Sequence, residues 1–130
     1  VLTGSYGIEC DLWGAGVIAF MLLSGQAPFS GDTDDDILAK VRKGTYKFRP
    51  SNVWKQISAD AKDFVSGLLT VDPKKRLSTR QALEHPWIKN KRETEMTEEA
   101  AQHVYSSLRN YHSFKALKRA AMVAIAFTLD

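Results

Sequence analysis

Residues 9–24 constrain the fold more than any other segment, because large apolar side chains recur on every side of the helix that their spacing predicts. These side chains are Leu12, Trp13, Val17, Ile18, Phe20, Met21, Leu22 and Leu23. A helix without a polar face must be buried among other elements, so we expect it at the centre of a core, ending at Gly25. A chain of 130 residues can supply that core, since about two-thirds of its surface is buried on folding.

Shorter helical patterns follow, each opening with a residue suited to an N-cap. They run to about Lys43 from Asp32 or Thr33, over 59–70 from Ser58, and to Leu83 from Ser78 or Thr79. Residues 45–57 lack periodicity but carry three large aromatic side chains, which predicts a long loop packed onto the surface by its rings. No convincing strand pattern occurs, so the sequence predicts an all-α fold.

A charged stretch at residues 90–96 divides the chain into two parts and reads as a linker. Residues 1–89 form the first predicted domain. Residues 97–130 predict one long helix that begins at Thr97 and runs towards Leu129, with an apolar stripe and several basic residues. A basic amphipathic helix is typical of membrane-surface segments and of calmodulin targets.

Residue chemistry alone provides no complete active site. The sequence contains no Gly-rich phosphate loop. Its three histidines lack a His or Cys partner at a zinc-binding spacing. The acids of residues 32–36 are spaced like EF-hand ligands, but the loop lacks the required Gly and the closing Glu. We therefore expect no metal site in this chain.

Charge and hydropathy argue against two further classes of protein, nucleic-acid-binding proteins and membrane-spanning proteins. The net charge is +3, and the basic residues are spread among acids over several segments, which argues against a nucleic-acid partner. The longest apolar runs, at residues 17–23 and 120–127, are far shorter than the ~18 residues of a membrane-spanning helix, so no transmembrane segment is expected. Cys10 is the only cysteine, which excludes an intramolecular disulfide.

Several residue runs, taken in order and spacing, resemble the large lobe of a protein kinase, and most of all the calcium/calmodulin-dependent serine/threonine kinases. The runs are Tyr6-x-x-x-Cys10-Asp11-Leu12-Trp13-x-x-Gly16-Val17-Ile18, Leu22-Leu23-Ser24-Gly25-x-x-Pro28-Phe29, Ile57-Ser58-x-x-Ala61-Lys62-Asp63-Phe64, Leu68-Leu69-x-x-Asp72-Pro73-x-x-Arg76 and Ala82-Leu83-x-His85-Pro86-Trp87-Ile88. The resemblance implies that Val1 directly follows the Ala-Pro-Glu motif of the activation segment. The ATP-binding loop, the catalytic Asp and the metal-binding Asp would then precede this chain, which would hold no catalytic, cofactor-binding or metal-binding residue.

Two residues are implied to support the catalytic site from a distance. Asp11 matches the Asp that bonds back to the backbone of the catalytic loop in this family. Arg76 matches the Arg that forms an ion pair with the Glu of Ala-Pro-Glu. Because that Glu lies outside the sequence, we expect Arg76 to be unpaired.

The end of the chain resembles the autoinhibitory junction of calcium-dependent protein kinases. The residues that carry this regulatory helix are Leu108, Phe114, Leu117, Lys118, Arg119, Ile125 and Phe127. In those kinases the helix occludes the substrate region at rest, and a following calmodulin-like domain with EF-hands removes it when calcium binds. The adjacent Lys118 and Arg119 precede an apolar end, residues 120–127, so we expect apolar packing rather than charge to dominate the occlusion.

The implied activity belongs to the whole protein: transfer of the γ-phosphoryl group of ATP, with Mg²⁺, to Ser or Thr of protein substrates. This chain would supply scaffold and an autoinhibitory helix. Calcium would act through an EF-hand domain outside the sequence, a calmodulin-like partner in cis. The alternatives are a kinase that recruits calmodulin in trans without EF-hands of its own, and a non-enzymatic helical interaction module such as a pseudokinase remnant. We expect a cytoplasmic location, with any membrane association made through parts outside this sequence.

Overall fold

The structure, a computed structural model, describes residues 8–90 and 97–111. These residues form seven helices and no strand, which confirms the all-α prediction. The helices are α1 (Ile8–Ser24), α2 (Asp34–Lys43), α3 (Ser51–Trp54), α4 (Ala59–Leu68), α5 (Thr79–Glu84), α6 (Pro86–Lys89) and α7 (Glu98–Tyr111).

Local hydrogen bonds determine where the helices begin. Thr33, rather than Asp32, caps α2: its hydroxyl accepts from the Asp36 N–H, and the Asp36 carboxylate accepts from the Thr33 N–H, both at 3.2 Å. This reciprocal pair of hydrogen bonds is a capping box, and Ser78 and Gln81 form an equivalent capping box at the start of α5. Each box provides acceptors for two N–H groups that would otherwise lie outside the helical hydrogen-bonding pattern.

The core is built around one side of α1, which packs against α4. Trp13 and Phe20 on that side are 2% and 0% exposed. The two helices approach closely at Gly16, where an added Cβ would lie 2.8 Å from the Leu68 Cβ. A small residue is therefore required at this crossing.

The expectation that α1 is buried on every side is wrong for the opposite face. Ile8, Asp11, Ala15 and Ile18 follow one another at helical spacing and are all exposed, with Ile8 68% and Ile18 42% accessible. The apolar pattern identified a helix of the core correctly, but it overstated how much of that helix the described residues cover.

Residues 45–57 confirm the prediction of a loop packed by aromatic rings, although α3 forms within it. Trp54 is 2% exposed, and Tyr46 and Phe48 pack against the same cluster. A smaller second cluster lies between α4 and α5, where Phe64, Leu68 and Ala82 are buried. The loop therefore extends the main core.

The chain after α5 differs from its prediction. Pro86 lies just beyond the end of α5, as its position in the sequence predicts, but it also opens a separate helix, α6, that the sequence did not predict. Proline suits this first position because its missing N–H has no helical acceptor there and its φ is already helical. Helix α7 then packs against α1. Residues 91–96 of the predicted linker and residues 112–130 of the predicted long helix lie outside the described residues.

Candidate functional site

Arg76 is a buried cation that holds the loop between α4 and α5. It is 6% exposed. Its Nε donates to the Thr70 carbonyl oxygen at 2.9 Å, and its Nη2 donates to the Val71 carbonyl oxygen at 3.1 Å. Arg76 therefore has backbone partners although the Glu implied to pair with it lies outside the sequence, because the guanidinium satisfies carbonyl groups just beyond α4 that no helical N–H reaches.

The same loop is stabilised by its own backbone. The Asp72 carbonyl accepts from the N–H groups of Lys75 and Arg76 at 3.0 Å, and the Asp72 carboxylate accepts from the Lys74 N–H at 3.0 Å. These contacts fold residues 72–76 into a turn. Asp favours such turns because its carboxylate accepts from the backbone N–H two residues later in the chain. The position of Arg76 is thus set by this turn and by the carbonyl groups together.

Asp11 lies on the exposed face of α1. Within residues 8–90 and 97–111, no hydrogen bond or ion pair joins it to Arg76. The structure therefore does not bring the two predicted scaffold residues together. Their roles at a catalytic site stay predictions.

His85 connects α5, α6 and α4. The Trp87 N–H donates to its Nδ1 at 3.2 Å, so Nδ1 is the acceptor and the ring hydrogen lies on Nε2, which donates to the Asp63 carboxylate at 3.0 Å. The ring is 8% exposed and its centroid lies 5.2 Å from that of Phe64. This histidine therefore has a structural role as the N-cap of α6.

The first four turns of the predicted regulatory helix dock on the end of α1 through polar contacts. Nε2 of His103 donates to the Leu23 carbonyl oxygen at 2.9 Å. Ser107, one turn later, is 5% exposed, and its hydroxyl lies 3.4 Å from the position of a Cβ added to Gly25. Gly25 directly follows α1 and has a φ of +73°. Through these contacts α7 covers the C-terminal end of α1, where carbonyl groups lack helical partners.

The sequence did not identify His103 or Ser107 as docking residues. The apolar stripe that the sequence shows in residues 97–130 includes Val104, which is 40% exposed. The only available signal was the helical spacing of His103 and Ser107, which does not by itself indicate a contact. Of the predicted regulatory residues, Leu108 lies in α7, and the other six lie outside the described residues.

No binding site for a metal is formed by the described part of the chain: residues 8–90 and 97–111 contain no group of three or more His, Cys, Asp or Glu arranged around a common point. Among the same residues, no helix is long and apolar enough to cross a membrane.

Comparison with known proteins relates this chain to protein kinases. Residues 1–88 match the protein kinase domain. Calcium-dependent protein kinase 3 of Plasmodium berghei is 41% identical over 97% of the chain, and calcium-dependent protein kinase 21 of Arabidopsis thaliana is 42% identical over all of it. The chain spans about a quarter of these relatives, 23% and 24% of their lengths.

Two further similarities extend the comparison. Calcium/calmodulin-dependent serine/threonine-protein kinase 1 of Oryza sativa is 42% identical over 99% of the chain, which covers 21% of that protein. Among solved structures, the twitchin kinase region of C. elegans superposes with a TM-score of 0.65 at 32% identity, covering 85% of this chain and 19% of that one. The arrangement of helices around α1 is therefore shared with a known kinase region.

Proposed function

Because the chain belongs to the protein kinase family, we propose that it is part of a calcium-regulated serine/threonine kinase that transfers the γ-phosphoryl group of ATP to protein hydroxyl groups. One observation supports the calcium-regulated class in particular. The match to the protein kinase domain ends at residue 88, whereas the similarity to the calcium-dependent kinase of Arabidopsis thaliana covers the whole chain. Residues 89–130 therefore resemble that class beyond the kinase domain itself.

The chain contributes scaffold rather than reacting groups. ATP and Mg²⁺ need a phosphate-binding loop and metal-binding carboxylates, and the described residues do not form such a site. We assign these groups, and calcium, to other parts of the protein. Arg76 has a positioning role: bonded to the Thr70 and Val71 carbonyl groups, it presents a fixed guanidinium for the Glu of the Ala-Pro-Glu motif. Asp11 has the corresponding role towards the catalytic loop.

The regulatory part is anchored by α7 and continues into the residues after it. His103 and Ser107 hold the start of the segment on α1. Leu108 and the six regulatory residues between 114 and 127 would then occlude the substrate region, mainly by apolar packing. A calmodulin-like domain in cis would remove the segment when calcium binds, and the protein would act on protein substrates in the cytoplasm.

An assay of the whole protein tests the proposed activity. With ATP, Mg²⁺ and a protein substrate, we expect phosphoserine or phosphothreonine to form with calcium and to fall at least about tenfold with chelator, the range of a regulatory coupling free energy. Activity that calcium leaves unchanged would contradict the regulation. No phosphorylation in either condition would favour the non-enzymatic interaction module.

A peptide of residues 101–130 tests how occlusion works. Added to the calcium-activated kinase, it should inhibit, and its Lys118→Ala, Arg119→Ala form should inhibit almost as well, because apolar side chains carry the contact. If the two substitutions removed most of the inhibition, occlusion would depend on charge instead.

The rice relative supports a second candidate, a kinase that recruits calmodulin in trans. Calorimetric titration of the 101–130 peptide with calmodulin separates the two. Tight binding that requires calcium would favour recruitment of calmodulin. Absence of binding with and without calcium would favour a sensor domain within the same protein.

A further inference from the structure

Residues 45–49 form an exposed segment with alternating sides. Thr45, Lys47 and Arg49 are exposed, whereas Tyr46 and Phe48 are half-buried. The rings of Tyr46 and Phe48 lie 5.7 Å apart. In an extended backbone, the side chains of residues i and i+2 lie on the same side of the chain. Exposure therefore alternates from one residue to the next, as it does here.

The inner side of this segment is fixed to the core. The Phe48 ring stacks on Phe20 with centroids 6.0 Å apart and lies 4.5 Å from Trp54. The Tyr46 ring meets Phe29 edge-on at 5.8 Å. Trp54 Nε1 also donates to the Arg49 carbonyl oxygen at 3.0 Å. The segment is therefore held rigidly at both rings and at its end, so its outer side has a defined geometry.

The backbone of the segment offers free hydrogen-bonding groups. α2 ends at Gly44 with φ +63°, and the Thr45 N–H donates to the Lys40 carbonyl oxygen at 2.9 Å. After that bond, within residues 8–90 and 97–111, neither the N–H nor the carbonyl of residues 46–48 makes a hydrogen bond to the protein. An extended stretch with unpaired backbone groups is a template on which another strand can pair.

A cleft beside the segment carries positive charge. Its volume is about 360 Å³, and its lining includes Lys40, Lys47 and Arg49 with no acidic residue. The Lys40 ammonium donates to the Ser30 carbonyl oxygen and keeps further N–H groups for another acceptor. In the described part of the chain no carboxylate forms an ion pair with Lys47 or Arg49. Asp32 and Asp36 line the neighbouring hollow, together with Lys40 and Lys43, and do not line the cleft itself.

We propose that residues 45–49 and this cleft form a docking site for an extended acidic segment of a partner protein. The partner's backbone pairs with the N–H and carbonyl groups of Tyr46 and Phe48, because in an extended chain alternate residues direct these groups to the same edge. Its alternate side chains lie on the same side as Lys47 and Arg49, because paired strands present neighbouring side chains on a common face. Carboxylates at those positions meet both cations, which gives the site its preference for acidic sequences. The inference goes beyond the proposed kinase activity, and binding to this site requires no catalysis.

Fluorescence anisotropy with the 130-residue chain tests the site. The probe is a labelled peptide in which glutamate alternates with threonine. We expect Lys47→Glu, Arg49→Glu to weaken binding by about tenfold or more, the size expected for two charge-assisted contacts. The control Lys74→Glu, Lys75→Glu makes the same change in net charge on an exposed turn elsewhere and should change binding less than about twofold. Circular dichroism verifies folding, and Lys47→Gln, Arg49→Gln replaces the first variant if that variant is unfolded.

Two further probes distinguish other ligands and test strand pairing. The same peptide with N-methyl groups on alternate residues keeps its charge but loses backbone donors, and it should bind at least about tenfold more weakly. Inorganic phosphate and phosphatidylserine vesicles should show no binding that depends on Lys47 and Arg49. The proposal is overturned if the acidic peptide does not bind, if the control variant weakens it equally, if N-methylation has no effect, or if phosphate or vesicles bind through the same two residues.

Discussion

Two glycines of α1 differ in what surrounds them, and the difference predicts opposite effects of the same substitution. A Cβ at Gly16 would lie 2.8 Å from the Leu68 Cβ, whereas nothing lies within 4 Å of one at Gly14. Gly16→Ala should therefore lower the free energy of unfolding by about 1–3 kcal/mol through overpacking. Gly14→Ala should raise it by up to about 1 kcal/mol through helix propensity. Urea denaturation of both variants measures the pair, and equal effects would contradict the close helix crossing.

His85 and Asp63 share a hydrogen bond but contribute unequally to stability. The Asp63 side chain is 81% exposed, so its pair is largely screened by water, whereas that of His85 is 8% exposed. We expect Asp63→Ala to lower the free energy of unfolding by less than about 1 kcal/mol. His85→Ala should lower it by about 2 kcal/mol, because it removes the cap of α6 and a ring packed on Phe64. Equal losses in thermal or urea unfolding would show that the hydrogen bond between His85 and Asp63 dominates.

Single residues were predictable from sequence where the interaction is local. Thr33 and Ser78 were among the predicted caps, because their acceptors and donors lie within three residues. The partner of His103, Leu23, is 80 residues away, and no local pattern encodes that contact. Arg76 was identified by its surrounding motif, but its bonds to the Thr70 and Val71 carbonyl groups depend on the three-dimensional turn.

At the scale of elements, the docking of α7 on α1 depends on the burial of one polar side chain. Ser107 is 5% exposed, and its neighbour Ser106 is exposed. Ser107→Glu places a carboxylate at a buried position, which costs several kcal/mol, so α7 should detach. Hydrogen exchange of residues 98–111 should then accelerate at least about tenfold in Ser107→Glu. Ser106→Glu is the matched control and should leave exchange nearly unchanged. Similar acceleration in both variants would place the docking contact elsewhere on α7.

Elements were predicted best where one amphipathic or apolar pattern is long. The bounds of α1 and α2 agree with the sequence within a residue or two, since their caps and glycines are clear. The short helices α3 and α6 were missed because four residues carry no helical period. Their positions are set instead by tertiary packing, through Trp54 in the main core and the His85 cap at Pro86.

For the molecule as a whole, the exposed face of α1 is the feature with the widest consequence. An apolar pattern shows that a surface needs cover but does not show which chain covers it. In this structure α4 and α7 cover one side of α1. Ile8 and Ile18 on the other side remain accessible.

The accessible face predicts that the 130-residue chain associates with itself. Burial of an isoleucine side chain contributes about 1.5–3 kcal/mol, so Ile18→Glu should weaken self-association by roughly tenfold or more. Leu83→Glu is the matched control, because Leu83 is 65% exposed but belongs to α5 rather than to α1, and it should have little effect. Sedimentation velocity over a range of concentrations gives the dissociation constants. A chain that stays monomeric throughout, or equal effects of the two substitutions, would show that α1 is not the surface through which copies meet.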